Sequence, residues 1–287
     1  MTEADFQKRL TELTEDRQHG ASELARQALE ILAESSETAT NQDVAQWQQL
    51  LLNRSSVLRN CRPSMAPVHN LLSAWEEQLL SQPETDLITA RQTAATLARE
   101  LIEESRQAVT ATVRETISMI HPPCTIITHS LSSTVSKIFH SLRECEVEVI
   151  VTESRPLNEG YLLARQLCDW GITCRLITDA QLGLFAAEAD LALVGADSLL
   201  VDGTLINKSG TYLLALAARA AGIPFYVAAE SFKRHTREVP VILEEMSTEE
   251  LGAPHLKDLQ ISNIYFDRTP ARLISAWINE FGPQPLP

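Results

Sequence analysis

The chain has 287 residues, of which 44% are hydrophobic and 22% are charged, a balance typical of a globular protein and unlike that of a disordered one. Its 24 Lys and Arg residues against 38 Asp and Glu residues leave a net charge of -14, which argues against direct nucleic-acid binding through general positive charge. No apolar run approaches the about 18 residues of a membrane span, and the polar N-terminus lacks a signal-peptide pattern. We therefore expect a cytoplasmic protein with no membrane contact.

The first part of the chain predicts an α-helical domain over residues 1–118. It is rich in Ala, Leu, Gln, Glu and Arg, and its apolar residues recur at helical spacing in residues 21–33, 44–58 and 87–117. Two breaks separate these helices. One is the proline-containing stretch 61–67, and the other is residues 81–86, where a capping residue precedes the last helix.

The second part, residues 119–287, begins after a His-Pro-Pro sequence and predicts a Rossmann-like parallel sheet. Its short apolar runs are residues 125–128, 147–152, 175–178, 191–194 and 225–229, and the helical segments between them are 132–142, 161–170, 181–188 and 211–221. Alternating strands and helices are typical of a parallel sheet with crossover helices, so the expected fold class is α/β. We also expect a hairpin turn at Asp202-Gly203, a last run at residues 264–266 and a proline-rich tail at 283–287.

Ionisable or hydrogen-bonding residues follow each predicted strand. They are His129 and Ser130, then Glu153, Ser154 and Arg155, then Asp179, Asp197, and finally Glu230 and Ser231. In an open parallel sheet these ends lie at one edge, where ligands bind. Each residue alone is equally well explained as a helix cap. The whole set favours a ligand site.

Residues 207–211 (NKSGT) precede a strongly helical run and are suited to an anion. Backbone N–H groups at a helix start bind phosphate, and Lys208 adds positive charge. An ordinary connection from hairpin to helix explains the pattern equally well. Gly20 and Ala21, at the start of an earlier helix, are likewise explained equally well as an anion-binding helix start or as an ordinary cap. Arg155 and Lys233 follow strand ends and would add charge to such a site, although each alone is typical of a solvated surface.

Standard cofactor motifs are absent from the sequence. It contains neither GxGxxG nor GxxxxGK, which argues against a dinucleotide fold or a P-loop. It has no HExxH, and Cys168 and Cys174 lack zinc spacing. We expect no cofactor and no metal.

Several segments, in order along the chain, together resemble the translation initiation factor 2B alpha/beta/delta family, most of all its archaeal regulatory-subunit type. They are residues 128–135 (THSLSSTV), 152–160 (TESRPLNEG), 177–181 (ITDAQ), 194–197 (VGAD), 207–215 (NKSGTYLLA), 224–233 (PFYVAAESFK) and 266–270 (FDRTP). Upstream, residues 20–22 (GAS) and 62–67 (RPSMAP) also match. The resemblance therefore covers nearly the whole chain.

The same family includes ribose-1,5-bisphosphate and methylthioribose-1-phosphate isomerases. The resemblance implies that in those enzymes a cysteine after the Thr-His pair and an aspartate in the Gly-Ala-Asp motif act as acid and base. Here the aspartate is Asp197, but Ser130 stands at the cysteine position. A hydroxyl does not readily lose a proton near neutrality, whereas a thiol has a reference pKa of about 8.5. Ser130 would need a base beside it, and the side chain of His129 is expected to point to the opposite face.

Three hypotheses follow. The favoured one is a non-catalytic regulatory-subunit-type protein that binds a sugar phosphate or nucleotide. The second is a working aldose–ketose isomerase, an intramolecular oxidoreductase, of the ribose-1,5-bisphosphate or methylthioribose-1-phosphate type. The third is a metabolic protein of unrelated function on the same fold.

For the ligand, we expect a phosphate-bearing anion held between the two domains. The expected contacts are backbone donors of Gly20 and Ala21, the side chains of Arg62, Arg155, Asn207 and Lys208 at the phosphates, and Asp197 and Ser130 at the sugar. The resemblance also implies a homodimer or larger assembly through the second domain, with an initiation factor 2-type protein as a further partner. The sequence itself hints at assembly only through Leu182, Leu184 and Phe185.

Overall fold

The computed structural model describes residues 1–38, 43–82, 86–235, 243–254 and 256–285. The chain divides into two compact units, Met1–Gln107 and Ala108–Pro287. The domain boundary that the sequence predicts at residue 118 lies one residue beyond the end of a long helix that runs from the first unit into the second, and it stays a prediction.

The helices of the first unit are α1 (Glu3–Glu15), α2 (Ala21–Thr38), α3 (Val44–Asn60), α4 (Ala66–Ser81) and α5 (Leu87–Ile117), the last of which extends into the second unit. Thr2 and Asp5 form a capping box at the start of α1, and the Asp43 side chain accepts from the first turn of α3. The helical prediction is confirmed, and α2 and α3 are longer than expected. Of the predicted loop at 81–86, residues 83–85 lie outside the described residues.

The core of this unit forms around α2, whose Leu24, Leu29 and Leu32 are fully buried. Two buried tryptophans satisfy their ring N–H groups with backbone carbonyls. Trp47 donates to Ser36 at 3.3 Å, and Trp75 donates to Ala94 at 2.9 Å. Their polar atoms are therefore buried without being left unbonded.

The strands belong to the second unit. They are β1 (Cys124–Thr128), β2 (Val147–Thr152), β3 (Thr173–Ile177), β4 (Leu191–Val194), β5 (Ser198–Leu199), β6 (Leu205–Lys208), β7 (Phe225–Ala228), β8 (Phe266–Thr269), β9 (Ala276–Asn279) and β10 (Gly282–Gln284). The main sheet has the order β10-β9-β7-β4-β1-β2-β3, and all its pairs are parallel except β9 with β10. The predicted α/β fold with a Rossmann-like parallel sheet is confirmed.

Four helices connect these strands in the described residues: α6 (Ser133–Ser141), α7 (Glu159–Asp169), α8 (Leu182–Phe185) and α9 (Thr211–Ala221). Alternate strand residues face two separate apolar clusters, because side chains alternate along a strand. Ile127 and Val194 lie in the cluster that contains residues of α9, whereas Ile126 and Val151 lie in the cluster that contains residues of α6 and α7. Both faces of the sheet are thus covered.

Two details differ from the sequence prediction, and a third agrees with it. The helix predicted at 181–188 is the single turn α8 flanked by 3₁₀ turns at Asp179–Gln181 and Ala186–Glu188. The run predicted at 264–266 is β8, four residues from Phe266 to Thr269, and it pairs with β6 in a separate antiparallel sheet with β5. The expected hairpin joins β5 to β6, and its turn includes Asp202 and Gly203.

The C-terminal strands β9 and β10 were not predicted. The proline-rich tail contains β10, whose Pro283 lacks a backbone N–H. A proline is tolerated there because β10 is the edge strand of the sheet and pairs on one side only. Residues 286 and 287 of that tail lie outside the described residues. Among the described helices, none combines the length and apolar character needed to cross a bilayer.

Candidate functional site

The residues after β1, β2 and β3 meet at the carboxyl edge of the main sheet, as expected for adjacent parallel strands. The strand order reverses at β1, which lies between β2 and β4. Such a reversal opens a crevice between the loops that leave the neighbouring strands, and it is where ligands bind in open α/β sheets. The sequence candidates in this unit lie around that point.

Asp179, which follows β3, holds the loop that follows β2. Its carboxylate accepts from the backbone N–H of Ser154 at 2.9 Å and of Arg155 at 2.8 Å. Ser154 has a φ of 60°, in the left-handed region that is uncommon for residues with a side chain. The Asp179 carboxylate therefore stabilises a strained turn, and both of its oxygens accept hydrogen bonds from the backbone.

Ser130 also lies in a left-handed turn, with a φ of 67°. Its backbone N–H donates to the Ser154 hydroxyl at 2.7 Å, so the turn after β1 is joined directly to the turn after β2. The Ser130 residue is half-buried. Two consecutive strand ends thus present small hydroxyl residues on strained turns, a geometry often found at functional sites.

His129 is buried, and both of its ring nitrogens have partners. Nδ1 lies 2.6 Å from the Thr152 hydroxyl, and Nε2 lies 2.8 Å from the backbone carbonyl of Ser209. Burial lowers the pKa of His129 below its ordinary value, and the carboxylate of Asp179, 3.7 Å from Nδ1, opposes this effect. His129 is therefore directed at Thr152 and Ser209, and not at the hydroxyl of Ser130.

The start of α9, where the sequence suggested an anion site, is held by a carboxylate of the protein. The backbone N–H groups of Gly210 and Tyr212 donate to Asp267 Oδ2 at 2.7 Å and 3.0 Å. Burial raises the pKa of Asp267 to about 6, although these two hydrogen bonds act in the opposite direction. Two of the donors on which the anion expectation relied are therefore already bonded.

Lys208 and Asn207 lie at the end of β6, next to this helix start. Lys208 is buried, and its ammonium lies 2.8 Å from Glu159 Oε1 and 3.9 Å from the centre of the Tyr265 ring. Asn207 donates to the Thr211 hydroxyl at 3.0 Å. A ligand anion at Lys208 would therefore compete with Glu159 for the same ammonium group.

Arg155 and Asp197 complete the candidates of this unit. The Arg155 guanidinium is exposed and donates to the carbonyl of Leu251 at 3.0 Å. Asp197 follows β4 at the same edge and is half-buried, and its backbone N–H donates to the Ile206 carbonyl at 3.0 Å. Both lie beyond strand ends, as the sequence predicted.

A buried charge pair lies after β7, where Glu230 was noted as a strand-end residue. Glu230 and Lys233 are buried, with 3.5 Å between their charged atoms, and Thr134 donates to Glu230 at 2.8 Å. Burial by itself raises the pKa of Glu230, but Lys233 and Thr134 hold it below its ordinary value. The pair fixes the end of β7 against the start of α6.

The helical unit contains Gly20, Ala21 and Arg62. The Gly20 carbonyl accepts from the N–H groups of Glu23 at 3.0 Å and Leu24 at 3.1 Å, so Gly20 caps α2 and Ala21 is its first residue. Arg62 is buried and donates to the carbonyl of Asp16 at 3.0 Å. These three residues therefore gather at the connection between α1 and α2.

Three residues of the site were not identified individually from the sequence. Asp267 lies within the FDRTP segment, and Thr152 and Glu159 lie within the TESRPLNEG segment. Their positions in those segments were the available signal, but their roles depend on partners far along the chain. Among the described residues, no group of three or more His, Cys, Asp or Glu side chains is placed to hold a metal ion.

Comparisons with known proteins agree with this architecture. The family model described as "Initiation factor 2 subunit family" matches residues 17–285. A Pyrococcus furiosus protein described as "Putative translation initiation factor eIF-2B subunit 2-like" is 34% identical over 96% of this chain and 94% of its own. A ribose 1,5-bisphosphate isomerase of Methanocaldococcus jannaschii is 30% identical over 98% of this chain and 92% of its own. The crystal structure of a Pyrococcus horikoshii translation initiation factor eIF-2B has a TM-score of 0.85 at 34% identity, covering 99% of this chain and 97% of its own.

Proposed function

Because the chain belongs to the initiation factor 2 subunit family, we propose that it is a non-catalytic member of the initiation factor 2B type that binds a phosphorylated sugar or nucleotide. The ligand site of the sheet unit is the carboxyl edge around β1. Arg155, Asn207 and Lys208 bind its phosphate groups, and Asp197 and Ser130 face the sugar. We also propose Gly20, Ala21 and Arg62 of the helical unit as ligand contacts.

The environment of Ser130 is the observation that carries this proposal. Proton transfer by a serine requires a base within hydrogen-bond reach of its hydroxyl. His129, its neighbour in sequence, directs Nδ1 to Thr152 and Nε2 to Ser209. The Ser154 hydroxyl is bonded to the backbone N–H of Ser130. Neither group supports an ionised serine, and binding without turnover is the expected result.

Binding of an anion by a protein of net charge -14 depends on local donors, because long-range electrostatics are unfavourable. Arg155 is exposed at the end of β2, where its guanidinium is accessible to phosphate oxygens. Lys208 is buried beside Glu159, so it contributes only when the ligand replaces that carboxylate.

The isomerase function remains the second candidate, and one observation favours it. Asp197, which stands at the position of the family's catalytic aspartate, is present, and the chain is 30% identical to a ribose 1,5-bisphosphate isomerase over nearly its whole length. In that case Asp197 acts as one of the two proton-transfer groups, and the substrate is an aldose phosphate.

Calorimetry with ribose 1,5-bisphosphate, run beside a coupled isomerase assay, tests both candidates. We expect the wild type to bind without turnover, and Arg155→Ala or Lys208→Ala to weaken binding about tenfold or more, the loss of one charge-assisted hydrogen bond. Arg143→Ala, an exposed arginine that precedes β2 at the opposite edge, is the matched control. Unchanged affinity in both variants contradicts the proposed site, and turnover that Asp197→Asn abolishes supports the isomerase.

For assembly, we propose a homodimer or larger oligomer formed through the sheet unit. Of the residues in the sequence hint, Leu182 is buried and Phe185 packs against the core, whereas Leu184 is 65% exposed. Leu213 and Leu216 on α9, the helix that contacts α8, are also exposed. We propose these three leucines, which lie on two helices in contact with each other, as part of the interaction surface.

Analytical ultracentrifugation of the wild type and of Leu213→Glu/Leu216→Glu tests the oligomer. A monomeric wild type contradicts it. An initiation factor 2-type protein remains the proposed further partner, and the cytoplasm the proposed location, because translation initiation and sugar-phosphate metabolism both take place there.

A further inference from the structure

A continuous series of hydrogen bonds runs from the turn after β1 to the segment before α9. The Ser130 N–H donates to the Ser154 hydroxyl at 2.7 Å, which lies 3.0 Å from the Thr152 hydroxyl. The Thr152 hydroxyl lies 2.6 Å from His129 Nδ1, and His129 Nε2 lies 2.8 Å from the Ser209 carbonyl oxygen. The series joins parts of the chain that are 80 residues apart.

When the imidazole is neutral, only one assignment of donors and acceptors forms every hydrogen bond in the series. A carbonyl oxygen accepts and never donates, so His129 Nε2 carries the proton. Nδ1 is then an acceptor, and the Thr152 hydroxyl donates to it. The Ser154 hydroxyl in turn donates to the Thr152 hydroxyl oxygen at 3.0 Å, with the backbone carbonyl of Thr152 as a longer contact at 3.4 Å, and the Ser154 oxygen accepts from the Ser130 N–H. The series thus specifies one tautomer of His129.

The inner members of this series are shielded from solvent. Thr152 and Ser154 are fully buried, and His129 is 2% exposed. Removing one hydroxyl therefore leaves its neighbours unbonded in the interior, where unpaired polar groups are costly.

The His129 ring also contacts Gly210, the residue before α9. Gly210 has a φ of 112°, and a Cβ built on it would lie 2.6 Å from Cε1 and Nε2 of the ring. Glycine is required both by the backbone conformation and by the close approach of the ring. The imidazole therefore fills the space between the end of β1 and the segment that contains Asn207 and Lys208.

We propose that His129 is a positioning residue of the ligand site, which in its neutral, Nε2-protonated form sets the place of residues 207–210 relative to Ser130. This inference rests on the proposed function, since it assigns His129 to the same site. His129 acts through the backbone of Ser209 and through Thr152, and it has no contact with the ligand. A histidine is suited to this role because it is rigid and offers a donor and an acceptor on opposite sides.

Protonation of His129 would reverse the series, because Nδ1 would become a donor and the Thr152 hydroxyl would have to turn away from it. The charged groups facing the ring are Asp179 after β3, which favours the charged form, and Lys208 on β6, which disfavours it. Asp267 on β8 bonds to the adjacent Gly210 N–H. We therefore expect ligand affinity to fall on acidification as His129 gains its proton.

The experiment compares Thr152→Val with Thr152→Ser, because valine removes the hydroxyl at similar shape and serine retains it. Nitrogen-15 NMR of labelled histidine, with the His129 signals assigned through His129→Gln, reports which ring nitrogen carries the proton. Hydrogen exchange of the Ser130 amide reports the far end of the series without any ligand, and calorimetry with ribose 1,5-bisphosphate reports binding.

We expect Nε2-protonated His129 in the wild type and in Thr152→Ser. In Thr152→Val we expect faster exchange of the Ser130 amide and affinity weakened about tenfold, the effect of one lost buried hydrogen bond. A proton on Nδ1 in the wild type overturns the inference, as does Thr152→Val with wild-type amide exchange and affinity. A wild type that fails to bind the probe contradicts the proposed function alone, since the tautomer and amide exchange still decide the role of His129.

Discussion

The loop after β2 and the start of α9 are both held by a carboxylate that accepts from two backbone N–H groups, but the two sites differ in their surroundings. Asp179 bonds to Ser154 and Arg155, and its side chain is 24% exposed. Asp267 bonds to Gly210 and Tyr212 in a more buried place, where its pKa is raised to about 6. The same backbone bonding therefore leaves one carboxylate near solvent and places the other where its charge is costly.

This difference bears on where an anion binds. The loop after β2 presents the exposed Arg155 side chain at its surface. The start of α9 has two of its N–H donors bonded to Asp267, and the neighbouring Lys208 is bonded to Glu159. We therefore expect the first region to bind phosphate groups as it stands, and the second only after its internal partners are displaced.

The largest effect should come from Gly210→Ala, at the start of α9. The added methyl group meets the His129 ring and the backbone has a φ of 112°, so we expect a loss of about 3 kcal/mol or more in the free energy of unfolding. Urea denaturation measures this loss. Gly222→Ala, at the other end of α9, is the control, because its φ is 76° and nothing lies within 4 Å of the new Cβ; we expect about 1 kcal/mol there. Equal losses would contradict the contact with His129.

Removing each carboxylate compares the two regions directly. Asp267→Ala leaves two N–H groups without an acceptor in a half-buried place, and we expect a loss of about 3 kcal/mol in the free energy of unfolding. Asp179→Ala leaves its two N–H groups closer to water, and we expect about 1–2 kcal/mol. Thermal and urea denaturation of both variants provide the measurement. A larger loss of stability for Asp179→Ala would show that the difference in burial does not decide which carboxylate contributes more.

The pH dependence of stability should separate Asp267 from His129. The pKa of Asp267 is raised from 3.8 to about 6, so the folded state holds this proton more tightly than the unfolded chain does. Its contribution to the free energy of unfolding therefore grows as pH falls from about 6 to about 4, by on the order of 2 kcal/mol.

His129 acts in the opposite direction. Burial lowers its pKa below 6.5, so the unfolded chain gains this proton first and stability falls as pH drops below that value. Denaturation of Asp267→Asn between pH 7 and 4 should show only the fall in the free energy of unfolding that His129 causes. If the variant and the wild type have parallel profiles, the pKa of Asp267 is not raised in the folded protein.

The smallest expected effect is a gain in affinity. Glu159→Gln removes the carboxylate bonded to Lys208 at 2.8 Å while keeping a side chain of similar size, so the ammonium becomes available to an anion. We expect ribose 1,5-bisphosphate to bind about three- to tenfold more tightly, a change of roughly 1 kcal/mol. Calorimetry measures the change, and Glu153→Gln in the neighbouring loop is the control. Weaker binding in Glu159→Gln would mean that the ion pair supports the site instead of competing with the ligand.

The sequence by itself determined the fold class and most of the elements. The predicted bounds of α5, α9, β2 and β4 agree with the structure, because helical and strand periodicity are expressed within about ten neighbouring residues. It also identified the edge of the sheet where Ser130, Arg155 and Asp197 lie, since every parallel strand delivers its last residue to the same side. The family followed from segments spread along the chain.

Only the tertiary structure decided which of these residues are bonded to one another. Asp179 looked like a ligand residue and proved to hold a backbone turn, whereas Asp267 was not singled out and proved to occupy the donors of α9. The pairs that matter join residues far apart: Gly210 and Asp267 are 57 residues apart, and His129 and Ser209 are 80 apart. Strand β10 was missed because an edge strand with a proline has no regular apolar pattern. Strand β9 lies inside the sheet and was missed because its four residues are too few to show a periodicity. Periodicity reports which face of an element is buried, but a hydrogen-bond partner is set by the packing of whole elements.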